Sequence, residues 1–134
     1  MPEELVGELT TKMTSTTIQK IGREGVRGSQ NSQGRMKGLY NASHLDTVDL
    51  LYKPDGPSEF ELRAMEMITE GDVILLQGRG TGNILNPTTN RLEGTCSFQT
   101  ASKKFAWLNA AKGRLEGSAN PTTGEATVKV FAQK

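Results

Sequence analysis

The sequence predicts an all-β fold, a small closed antiparallel barrel of about eight or nine strands. Apolar and polar residues alternate with period two through most of the chain. Turns rich in glycine and proline interrupt that alternation at short spacing. Only one stretch, Ser102 to Ala111, lets a short helix compete with a strand. Closing such a sheet on itself removes the bare edges that invite aggregation.

The elements follow in order. Near the N-terminus, Leu5, Gly7, Leu9, Thr11 and Met13 alternate with Glu4, Val6, Glu8, Thr10 and Lys12, which reads as a strand with one buried face. Thr14 to Ile21 is rich in threonine and isoleucine, whose Cβ branching favours extended backbone. From Gly22 to Gly38 the chain is polar and glycine-rich, so a flexible loop is expected over residues 22–34, before a strand from Arg35 to Tyr40.

A hairpin then joins Thr47 to Lys53 with Glu59 to Ile68 around Pro54-Asp55-Gly56. Its first arm puts Val48, Leu50 and Tyr52 on one face. Its second puts Phe60, Leu62, Ala64 and Ile68 on one face, with Glu59, Glu61, Arg63, Met65 and Met67 on the other. A turn at Thr69-Glu70-Gly71-Asp72 leads into a strand from Val73 to Arg79. A second hairpin lies between Gly78 and Thr100, turning at Asn86 to Asn90, and Leu92, Gly94, Cys96 and Phe98 share one of its faces. Gly113 to Ala119, a turn at Asn120 to Gly124 and a closing strand, Glu125 to Phe131, complete the series. Arg91-Leu-Glu-Gly94 recurs as Arg114-Leu-Glu-Gly117, and Asn86-Pro-Thr-Thr89 as Asn120-Pro-Thr-Thr123. The two motifs swap order between copies, which marks repeated hairpin chemistry and not a duplicated domain.

A chain of 134 residues suits one domain, residues 1–134, with a core that needs no disulfide. Cys96 is the only cysteine and suits a reducing compartment. The opening Met-Pro-Glu-Glu-Leu lacks the basic start and apolar run of a secretory signal. The longest apolar run, Val73 to Leu76, falls far short of the roughly 20 residues that span a bilayer. A soluble cytoplasmic protein without a membrane partner is expected. Sixteen basic and fifteen acidic residues leave a formal charge of +1, and only Lys103-Lys104 are adjacent basic residues. That balance disfavours nucleic acid, whose binding depends on neutralised phosphates.

No metal site is expected, because His44 is the only histidine and no Asp-rich loop is present. Ser43, His44 and Asp46 are the residue types of a hydrolase triad, but triad members converge from separate elements, so His44 reads as an ordinary loop residue. Gly78-Arg-Gly-Thr-Gly82 imitates a phosphate loop without the following helix that would hold a pyrophosphate. Alternating glycines there read as tight curvature, and no cofactor is implied.

The best polar cluster is Glu59, Glu61, Arg63 and Met65, with Asp49 across the hairpin. It reads either as a solvated outer face or as a lumen wall in which a carboxylate serves as acid or base. Trp107 is expected to cap or fill one end of the barrel, its truncation costing about 3–5 kcal/mol. Asn109 either binds a ligand carbonyl or caps local backbone. These seven residues are the candidate ligand-binding set, and no catalytic residue is assigned.

Phe98-Gln-Thr100 followed by Lys104-Phe-Ala-Trp-Leu-Asn109 resembles the F-x-T … Y/F-A-W-L-N signature of a bacterial family of unknown function. Its members are small barrels similar to lipocalins and allene oxide cyclases, and the resemblance extends over about residues 45–131. It implies a lipocalin-like or allene-oxide-cyclase-like barrel and no settled activity. Three functions are therefore expected in competition. A small, largely apolar ligand is bound in the lumen, or a cofactor-independent isomerase or cyclase works there. Otherwise a solid-core barrel serves as a homo-oligomer or partner platform.

Overall fold

The computed structural model describes residues 3–134. Its strands are β1 (Glu4–Gly22), β2 (Gly25–Gly38), β3 (Ala42–Tyr52), β4 (Ser58–Ile68), β5 (Val73–Asn86), β6 (Thr89–Thr100), β7 (Lys112–Ala119) and β8 (Glu125–Gln133). Each is antiparallel to its neighbours in chain order, and β8 pairs with β1, so the sheet is a closed barrel of eight strands. A 3-10 turn, Ala106–Ala110, stands between β6 and β7. An eight-stranded interior is wide enough for packed side chains or one small ligand, and this barrel is packed in one half and carries a cavity in the other.

Residues 22–34, expected as a flexible loop, are a tight turn followed by most of β2. The strand Gly25–Gly38 pairs residue by residue with β1 on one side and β3 on the other. Its polarity misleads because the ladder, not side-chain burial, holds it. Its glycines allow close backbone approach: a Cβ on Gly34 would collide with the Thr10 carbonyl oxygen. Gly25 closes the turn at φ 132°, a conformation open to glycine.

β1 also departs from strict alternation. A register shift between Leu5 and Gly7 opposite β8 leaves Leu5 half exposed and buries Val6 completely. One extra residue in a strand flips the facing of everything before it.

The repeated tetrapeptides meet across β6 and β7, where Leu92 lies opposite Gly117 and Leu115 opposite Gly94. The two glycines serve close backbone approach on their other sides: a Cβ on Gly94 would collide with the Arg79 carbonyl oxygen of β5, and one on Gly117 with the Thr127 carbonyl oxygen of β8. The repeated turns touch as well, since Thr122 Oγ1 donates to the Pro87 carbonyl at 2.8 Å.

One end of the barrel is plugged. Leu108 of the 3-10 turn is fully buried and belongs to the same core cluster as Phe105, Ile74, Leu76 and Val130. Phe105 meets the Tyr40 ring edge-on at 5.3 Å. The opposite half of the lumen is hollow.

Candidate functional site in the lumen

β3 turns Ala42, His44, Asp46, Val48, Leu50 and Tyr52 toward the axis, and β4 turns Ser58, Phe60, Leu62, Ala64, Glu66 and Ile68 the same way. In the ladder His44 stands directly opposite Glu66, and Asp46 stands opposite Ala64 and, on β2, Ser32. His44 and Glu66 are 1% and 0% exposed. His44 Nδ1 is 2.9 Å from Glu66 Oε2, and His44 Nε2 is 2.6 Å from Asp46 Oδ2. Tyr40, from the β2–β3 connection, donates its hydroxyl to Glu66 Oε1. The result is a continuous line Tyr40–Glu66–His44–Asp46 running from the plugged end toward the cavity.

Electrostatics fix the proton positions. Burial alone would depress the His44 pKa, but hydrogen bonds to Asp46 and Glu66 outweigh it and raise the value to about 9. His44 is then an imidazolium at neutral pH, each ring N–H donating to one carboxylate. Burial, reinforced by the Glu66 charge, holds the Tyr40 phenol far above its ordinary range. Burial, then the same charge, pushes the Cys96 thiol up to about 12.

Beyond Asp46 lies a cavity of about 150 Å³. Leu9, Leu62, Leu92, Leu115 and Val128 supply apolar wall, while Tyr52, Ser58, Asn90 and Asn120 are among its polar lining groups. Two buried oxygens in this wall have no hydrogen-bond partner, Asp46 Oδ1 and Asn90 Oδ1. Asp46 thus holds one oxygen on His44 and keeps the other, unpartnered and buried, in the cavity wall. Among the described residues no three His, Cys, Asp or Glu side chains are grouped as metal ligands.

The sequence-based candidates are distributed differently. Glu59, Glu61, Arg63 and Met65 all point outward, because their alternate neighbours on β4 carry the buried face. Asp49 joins them outside, accepting from Ser29 Oγ at 2.7 Å and Arg63 Nη2 at 2.8 Å. The polar cluster exists, but as a surface network and not as lumen wall. Trp107 is half-buried at the plugged end, with Lys134 Nζ 4.8 Å from the ring centre. Asn109 clamps backbone: it accepts from Thr100 N at 2.8 Å and donates to Thr100 O at 3.0 Å.

His44, read as a loop residue, is instead a buried strand residue, since β3 begins five residues before Thr47. Asp46, weighed with Ser43 and His44 as a triad type and set aside, lies beside His44 on the inner face, whereas Tyr40, Glu66 and Asn90 carry no signal as site residues in the sequence. Extending the Val48–Leu50–Tyr52 face backward in steps of two would have reached Asp46 and His44. Glu66 interrupts the face Phe60, Leu62, Ala64, Ile68 at an inward position.

These features define an eight-stranded barrel with an internal acid–base line opening on an apolar chamber. No protein-family model matches the chain, and no curated protein matches it either. Solved structures do. A protein of unknown function from Clostridium acetobutylicum superposes with a TM-score of 0.87 at 18% identity, covering 98% of this chain and 97% of that one. A beta-barrel like protein from Acinetobacter baumannii gives 0.83 at 16% identity, covering 100% and 98%. An enzyme from Penicillium herquei gives 0.69 at 16% identity, covering 97% and 96%. At such identities the likeness establishes the barrel fold.

Proposed function

We propose that this protein is a cofactor-independent acid–base catalyst that isomerises or cyclises a small, largely apolar substrate in its lumen. The carrying observation is Asp46 Oδ1, a buried carboxylate oxygen without a partner in the wall of an apolar cavity. An unsatisfied buried polar atom costs about 1–3 kcal/mol, so a group that meets it only when substrate is bound gains that interaction in full. Simple apolar binding needs no carboxylate there, and none with a charged line behind it.

In the proposed step Asp46 Oδ1 takes a proton from a carbon next to a carbonyl or double bond. The C–H electron pair moves into that π-system, and the proton returns at another position. No electrons leave the substrate, so no redox partner is consumed. His44 holds Asp46 through Nε2 and is itself held by Glu66, which fixes the angle of attack. The Penicillium herquei enzyme with this fold supports a catalytic reading of the chamber.

The test is α-proton exchange of cyclohexanone in heavy water, followed by NMR. The expected result is exchange above the buffer rate, returned to that rate by Asp46→Asn with the fold intact by circular dichroism. Equal exchange by the two proteins would refute the proposal.

A second reading, self-association, is favoured by an outer apolar strip. Leu45, Met65 and Leu75 are successive cross-strand partners, with Met67 and Val73 paired beside them, all five exposed. Light scattering after size exclusion tests it: a monomer that persists at high concentration would exclude a homo-oligomer built on that strip.

A further inference from the structure

The same chamber, read as the substrate site, also limits what can occupy it. We infer that the lumen takes a ring-sized molecule with hydrogen-bond donors at two positions and no anionic group.

Size comes first. A cavity of about 150 Å³ is the volume at which an engineered apolar cavity in another protein accepts a benzene ring. The chamber therefore suits one six-membered ring, with substituents reaching the polar lining.

The pattern of free groups then selects the substituents. The two unpartnered buried atoms, Asp46 Oδ1 and Asn90 Oδ1, are both acceptors. His44, Tyr40 and Ser58 already direct their donors elsewhere. Both His44 ring nitrogens face carboxylates, the Tyr40 hydroxyl goes to Glu66, and Ser58 Oγ donates to the Gly82 carbonyl at 3.1 Å. The Asn90 position is built into the backbone, because a Cβ on Gly82 would come within 2.7 Å of Asn90 Oδ1 and 2.8 Å of Ser58 Oγ. Asn90 is only 4% exposed. Its oxygen is thus a fixed acceptor, and the matching ligand group is a hydroxyl or N–H.

Charge excludes the remainder. Among the described residues no lysine, arginine or histidine lines the chamber. The cluster at its floor contains two carboxylates against one imidazolium whose protons are both taken. A carboxylate or phosphate placed there would face Asp46 with no cation to compensate it, in surroundings where an unpaired buried charge is expensive.

Three probes of one shape test this: 4-hydroxybenzyl alcohol, 4-hydroxybenzylamine and 4-hydroxybenzoate, titrated at pH 7 by NMR with lumen-residue shifts as the readout. The alcohol and the amine are expected to bind, and the benzoate to bind at least about tenfold more weakly, which is 1.4 kcal/mol. Asp46→Asn should narrow the gap between benzoate and alcohol, and Asn90→Leu should weaken the alcohol. Benzoate binding as tightly as the alcohol, or a gap unchanged in Asp46→Asn, overturns the inference, as does failure of all three probes to shift lumen residues. The catalytic proposal fails separately. Alcohol binding without cyclohexanone exchange leaves this ligand class standing and removes the chemistry, whereas exchange with benzoate preferred does the reverse.

Discussion

Glu66 Oε2 lies 2.9 Å from His44 Nδ1 across the β3–β4 ladder, both side chains sealed from solvent. The pairing is a cross-strand contact in the most buried part of the barrel, and each partner makes the other tolerable there. Removing one member leaves the other as an uncompensated buried charge, which typically costs about 3–5 kcal/mol. His44→Leu is therefore expected to lower the unfolding free energy in urea by that order. The double variant His44→Leu/Glu66→Leu should recover the part due to Glu66, while Asp46 still lacks its imidazolium partner. A double variant no more stable than the single would show that the pair is not the energetic unit.

The same pairing makes stability depend on pH. His44 has a folded pKa of about 9 against an ordinary 6.5. A raised value means that the folded state holds the proton more tightly than the unfolded chain. Its contribution is complete below pH 6.5 and is lost as pH rises through about 9. The shift corresponds to a few kcal/mol, at about 1.4 kcal/mol for each unit. Cys96 adds to the fall only at the top of this window, because its thiol ionises around 9 in the unfolded chain but is pushed up to about 12 in the folded one. Urea midpoints measured at pH 6, 7.5 and 9 should fall steadily for the native protein. In His44→Gln that decline should flatten, and an undiminished slope would assign it to other groups.

How much of this was legible in the chain differs between fold and site. The hairpin of β3 and β4 announces itself through Pro54-Asp55-Gly56 and through the alternation from Phe60 to Met67, and the structure keeps both. β2 was hidden because Ser29, Gln30, Asn31, Ser32 and Gln33 look like a loop. A strand ladder is made by backbone groups, and side-chain polarity does not report on them. The site was hidden for a related reason. Apolar residues bound the first arm at Thr47, so His44 and Asp46 on the same inner face lie before it, while Glu66 sits inside the second arm as a polar break in an apolar face. Tyr40 could not be found by any period, since it enters from a connection. The acidic stretch Glu59–Glu61 drew attention because it is polar, yet its polarity is that of a wet outer surface.

Cys96 offers a check on the interior that needs no ligand. It is 8% exposed and faces the lumen between Leu92 and Phe98 on β6. The thiolate is the reactive form, and burial with the Glu66 charge holds its pKa near 12. Iodoacetamide at pH 8 is expected to leave the folded protein unlabelled over hours and to label it fully in guanidinium. Rapid labelling of the native protein would mean that the barrel opens between β6 and its neighbours far more readily than the ladder implies.

The plug at the closed end supplies the last prediction. Sequence weighting placed the main anchor at Trp107, the largest side chain of the segment. In the structure Leu108 is the residue with no exposed surface, while Trp107 is half-buried and lies under the Lys134 side chain. Burial, not size, sets the cost of truncation, because a cavity can form only where surrounding atoms cannot collapse or be replaced by water. Leu108→Ala is therefore expected to cost about 2–5 kcal/mol. Trp107→Ala should cost less, about 1–2 kcal/mol for the portion of the ring removed from water. Because the plug also supports Tyr40 through Phe105, Leu108→Ala should loosen the Tyr40–Glu66 contact and move the His44 ring signal seen by NMR. Trp107→Ala should leave it near its native value. If Trp107→Ala proves the more damaging of the two, the indole bears the end of the barrel after all, and the line from Tyr40 to Asp46 does not depend on the plug.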